Sequence, residues 1–152
     1  MPASTRESIL DNLVTVIDGI TSGGGYNYTA KDVSLGLKHF GAVPEDGFPA
    51  AYVAGADEKA KNSAQGQFTS ELIASVIGYV YATDAQDIAL LERQASRWCS
   101  DIRKALMLDV TRGGCAITTE VGDIDFDKGA LAPVAGFEMF VRIVYRAATS
   151  TP

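Results

Sequence analysis

His39 is the single histidine of the chain, and imidazole is the side chain whose ordinary pKa best suits proton transfer near neutrality. It stands in the run HFGAVPEDG with no acid or nucleophile beside it, so catalysis through it needs partners brought from elsewhere by the fold. Otherwise it is a loop histidine. Gly23, Gly24 and Gly25 could cradle a phosphate with their backbone N–H groups. A phosphate loop, however, follows a strand and runs into Lys and then Ser or Thr, whereas Tyr26 and Asn27 follow here after a helical pattern, so a helix stop accounts for the run. Gly113 and Gly114, behind Arg112, read as a helix-ending turn in the same way. Asp123, Asp125 and Asp127 alternate like the first ligands of an EF-hand loop. The sixth position, where such a loop turns on glycine, is Lys128, and the twelfth, where a bidentate Glu closes the site, is Val134. An acidic connection between strands is the expectation. Cys99 and Cys115 belong to no closely spaced Cys/His set and are expected to be reduced and mostly buried. No G-x-S-x-G elbow, H-E-x-x-H pair or kinase signature occurs. Asn27-Tyr28-Thr29 has the form of a glycosylation acceptor, which carries no meaning without a secretory route. The residues therefore assign no catalytic, cofactor-binding or metal-binding position.

The elements that would hold these residues are legible from periodicity. Ser4 and Glu7 have capping-box spacing, and Ile9, Leu10, Leu13, Val16, Ile17 and Ile20 follow at helical steps, giving an amphipathic helix from Ser4 to about Ile20. Val33, Leu35 and Leu37 alternate with polar residues between Lys31 and Lys38, which predicts a short strand. A second strand runs from Phe48 to near Gly55. The polar stretch Asp57 to Gly66 reads as a solvent-facing loop or hairpin tip. Phe68 to Tyr81 is rich in β-branched and aromatic residues on both parities, the pattern of a central strand covered on both faces. Thr83 with Gln86, or Asp84 with Asp87, supplies the cap of a long helix in which Ile88, Leu91, Ala95, Trp98, Ile102 and Leu106 repeat, ending near Asp109. Ala116 to Val121 is a strand, GDIDFDKG an acidic loop, and Phe137 to Arg146 a closing strand. Strands that come in runs favour hairpin connections. The expected fold is α+β, a single domain over residues 1–152, with a mixed, mostly antiparallel sheet and both helices packed on one face.

Composition narrows the function classes. At 152 residues the chain matches one domain, since domains run to roughly 100–200 residues. A formal charge of −6 argues against a protein that wraps nucleic acid by neutralising phosphates, and Arg142 and Arg146 form no basic cluster interleaved with aromatics. The most apolar stretch, Leu72 to Ala82, falls well short of the ~20 residues of a spanning helix, so no membrane contact is expected. The polar start Met1 to Glu7 lacks the basic-then-apolar order of a secretory signal, and synthesis and retention in a cytoplasm is the expectation.

Four stretches taken together resemble the tail terminator, or tail completion, proteins of long-tailed bacteriophages. They are the first helix followed by GGGYN, the segment FPAAYVAGADE, the helix end DIRKALMLDVTRGGCA and the closing strand FVRIVYR, covering about Arg6 to Arg146. The resemblance lies in their order and spacing, because each piece alone is a turn, helix or strand. It implies a mixed sheet backed by two helices and assembly as a homo-hexameric ring on the head-proximal end of the tail tube. The implied role is structural and not enzymatic: the ring stops addition of tube subunits and meets the head-neck connector proteins, in a virion assembled in the host bacterial cytoplasm. DNA passes transiently through its channel, and a ring of chains at −6 each would hold that DNA weakly.

Polar excursions from the sheet are the candidate ring or partner contacts: Glu45 and Asp46; Asp57, Glu58, Lys59 and Lys61; and Asp123, Asp125 and Asp127. Ordinary solvated connections are the alternative for each. Other readings of the whole chain are a different neck, head-completion or tube-like component, a prophage-derived protein of the same fold, and a small enzyme or ligand-binding domain using the glycine loop and His39.

Overall fold

The computed structural model describes residues 3–62, 65–82 and 87–149. Ser4 is extended and its Oγ accepts the N–H of Glu7 at 3.1 Å, satisfying one of the free donors at the start of α1, Thr5–Asp18. Ile9, Leu10, Leu13 and Ile17 form the buried stripe of this helix. Gly25, with φ of +91°, turns the chain away beyond it, a conformation that costs a side-chain-bearing residue and costs glycine little.

Five strands follow: β1 (Asp32–Leu35), β2 (Ala50–Asn62), β3 (Gln67–Tyr81), β4 (Thr118–Phe126) and β5 (Val134–Ala148), with α2 (Ile88–Met107) between β3 and β4. Their order across the sheet is β1-β2-β3-β5-β4. Only β1 runs parallel to its neighbour, pairing with Ala50–Val53, because residues 36–49 carry the chain back before β2 starts. All other neighbours are antiparallel. The expected α+β architecture, mixed and mostly antiparallel, is the one observed.

Both helices lie on one face. Ala51 and Val53 of β2, Leu72, Ala74, Val76 and Val80 of β3, and Phe137, Met139, Val141 and Ile143 of β5 meet Ile9, Leu13 and Ile17 of α1 and Leu91, Ala95, Trp98, Ile102 and Leu106 of α2. Trp98 is fully buried and its indole N–H donates to the carbonyl of Ala50 at 2.9 Å, so the largest core side chain leaves no unpaired donor. A smaller cluster on the opposite face joins Val43, Ala50, Tyr52, Tyr79 and Val134 beneath residues 40–48. The central strand β3 is thus apolar on both sides, as its sequence predicts.

Three expectations need correction. Asp57–Asn62 is not a loop: it pairs with Phe68–Ile73, so β2 and β3 form a long arm that β5 continues to Ala148. The charges misled because an outer strand with a wet surface tolerates them, and length was set by the apolar partner β3. Solvent exposure of this stretch is as expected. The acidic segment after Val121 is likewise strand, running to Phe126 with a bulge between Val121 and Ile124. Beyond the bulge Ile124 and Phe126 pack against the core while Asp123 and Asp125 face solvent, and the connection itself lies at 127–133. Finally, the cap of α2 is Asp87, whose Oδ1 accepts from the N–H of Leu90 at 2.9 Å. Thr83, Asp84 and Gln86 lie outside the described residues.

Candidate functional site

Asp101 ties two distant stretches together. It lies on α2, 3% exposed, and its carboxylate accepts from the backbone N–H of Asn27 (3.1 Å), the side-chain amide of Asn27 (2.9 Å) and the N–H of Tyr28 (3.0 Å). Lys104, one turn on, donates to the carbonyl of Gly25 at 3.0 Å and lies over the Tyr26 ring. The glycine turn is therefore a structural clamp between α1 and α2. At the far end of α2, Asp109 accepts from the hydroxyl and N–H of Thr111 and from the N–H of Gly113, and these bonds, led by the Thr111 hydroxyl, pull its carboxyl down to about 2. Arg112, 1% exposed with φ of +51°, donates to the carbonyls of Leu106 and Asp109 and closes the helix end.

His39 is occupied locally. Its Nδ1 accepts from the N–H of Gly41 at 3.1 Å, and the ring leans on Phe40 with centroids 4.3 Å apart. Among the described residues no three of His, Cys, Asp and Glu gather as a metal-holding group. Cys99 is buried and Cys115 partly so, both as free thiols, and burial pushes the Cys99 thiol up from its ordinary value.

The sheet face that carries no helix holds the densest arrangement of charge. Arg142, in the middle of β5, reaches both neighbouring strands: its Nε is 2.8 Å from Glu71 on β3 and its Nη1 3.3 Å from Glu120 on β4. Strand register explains the trio, since Glu120 stands directly opposite Arg142 and Glu71 opposite the adjoining Val144. The bond to Arg142 holds the Glu71 carboxyl below the usual carboxylate range. Ser75 donates to Glu138 at 2.6 Å farther along the same face. Half-buried Ile73, Phe140 and Val144 separate these polar groups, so the surface alternates apolar and ionic patches.

The candidate contact residues distribute over different parts of the molecule. Lys59 and Lys61 border the depression that reaches Glu71, Arg142 and Val144, and Asp123 borders the next one with Ile73, Phe140 and Arg142. Asp125 and Asp127 line a separate hollow beside Ile77, Tyr79, Leu131 and Glu138. Glu58 points to the helix side, where the Tyr145 hydroxyl donates to it at 2.5 Å and Arg6 approaches to 4.0 Å. Asp57 folds back to accept the N–H of Glu58 at 2.9 Å. Glu45 and Asp46 sit apart, on an exposed turn closed by Gly47 donating to Pro44. Sequence reasoning missed Glu71 and Glu120 as partners of Arg142, because only the register of three strands brings them together. The surface combines paired charges with half-buried apolar side chains. No protein-family model and no curated protein matches the chain.

Proposed function

We propose that this protein caps the head-proximal end of a bacteriophage tail tube as a hexameric ring, ends tube polymerisation there, and presents a surface to the head-neck connector proteins while DNA passes through its channel. Its role is structural, with no chemistry performed. The reading rests on the resemblance of four stretches to tail terminator proteins, and the observation that carries it is the clamp at Asp101. That carboxylate locks GGGYN to the helix that ends in DIRKALMLDVTRGGCA, while the other two stretches, on β2 and β5, flank β3. All four meet around one core. The net charge of −6 suits a ring through which a polyanion slides without being held.

A sheet with two open edges would also serve a tube-like or head-completion component of the same machine, and position separates these readings. Tails assembled with an epitope-tagged chain and labelled for electron microscopy should carry the label only at the tube end that meets the head. Label along the tube, or on heads lacking tails, would assign the protein to one of the other components.

A further inference from the structure

We infer that copies of this chain join head to tail through their sheets, the free edge of β2 beyond Val53 in one copy adding to the outer edge of β4 in the next. This rests on the ring proposed above and names the surface that builds it. β1 covers β2 only over Ala50–Val53, so among the described residues Gly55–Asn62 keeps an outer edge with no strand beside it, and β4 closes the sheet on the other side. Such edges present unpaired backbone donors and acceptors to another strand. Each strand from β2 to β4 is antiparallel to its neighbour, so β2 and β4 themselves run in opposite directions. Copies related by rotation about an axis along the strands therefore set β4 against β2 antiparallel, and the ladder continues from one copy into the next.

Charge favours this pairing. On the face without helices the β2 edge bears Asp57, Lys59 and Lys61, opposite Ile73, Glu71 and Thr69 in the ladder, whereas the β4 edge bears Glu120 and Asp125, opposite Arg142 and Glu138, with Asp123 at the bulge. Lys59, Lys61, Glu120, Asp123 and Asp125 are exposed, and the residues opposite them in the ladder are half-buried. Two β4 edges would set carboxylates against carboxylates, while Lys59 and Lys61, which outnumber Asp57 on the β2 edge, meet opposite signs on β4. A heterologous contact of this kind closes into a ring when the rotation allows, which a self-complementary contact cannot do alone. The charges and bulges that guard both edges against indiscriminate pairing thus leave one combination favoured.

Charge exchange on the full chain tests it, read by native mass spectrometry and sedimentation over a concentration series at low salt. Lys59→Glu with Lys61→Glu reverses the β2 edge, and Asp123→Lys with Asp125→Lys reverses the β4 edge. Each pair alone should weaken assembly at least about tenfold. All four changes in one chain should restore it, and so should an equimolar mixture of the two reversed chains, as alternating copies. Restoration excludes loss by misfolding, and circular dichroism of each variant gives the same check independently. A wild-type chain that stays monomeric throughout, reversed edges that assemble like wild type, or a fourfold variant that folds and stays apart would each overturn the proposal. Edge-dependent assembly that leaves tail tubes uncapped would sink the tail reading alone; capping that ignores both edges would sink the edge pairing alone.

Discussion

Asp101 is worth more to the fold than its charge suggests, because three donors from the glycine turn converge on it in a buried position. Asp101→Ala leaves the Asn27 and Tyr28 N–H groups without that acceptor and should cost about 2 kcal/mol, measured by urea unfolding. Asp109 makes a pH-dependent contribution. Its folded-state carboxyl is lowered to about 2 from an ordinary value near 4, so the unfolded chain binds the extra proton first, and the stabilisation is present above about pH 4 and lost as pH falls toward 2. Asp109→Ala should flatten that part of the acid limb while leaving its shape near pH 7 unchanged. For His39 the observed role is local: His39→Ala removes the acceptor of the Gly41 N–H and should leave the proposed tube capping intact. Reversal of Glu58 would be a poor probe of partner contact, since it breaks the bond to Tyr145 under α1. Lys59 and Lys61 report on the surface alone.

At the scale of elements, close packing makes sharp demands on single positions. Gly78 of β3 lies under the ring of Phe137, and a Cβ there would run into it. Gly78→Ala should therefore destabilise by about 1–3 kcal/mol in thermal or urea unfolding, with no change in any surface contact. Trp98→Ala empties the centre of the α2 packing and should cost about 3–5 kcal/mol by the same measurement. The helices were legible in the sequence because their apolar steps, the Ser4 cap and the glycine stop all agree. β3 and β5 were legible because their two parities are both apolar or cleanly alternating. The outer parts of β2 and β4 were not, since composition dominates the local signal where one side of a strand faces water. A bulge between Val121 and Ile124 also breaks the alternation that would have betrayed the second half of β4. The ionic trio Glu71, Glu120 and Arg142 was beyond reach for a different reason. Its members come from three strands, and only their register makes them neighbours.

For the whole molecule, the fold divides labour between the two faces of one sheet. The helix side supplies stability, with nearly all of its large side chains sealed, and the opposite side leaves charge and half-buried apolar groups open between two unpaired edges. Termination of the tail tube is the role proposed for this ring. The most direct measurement mixes the purified protein with tail-tube subunits under polymerising conditions and follows tube length and tube ends by electron microscopy across a range of added protein. Tubes that shorten with dose and carry a cap at one end are the expected result. Tubes of unchanged length with bare ends at every dose would contradict the account.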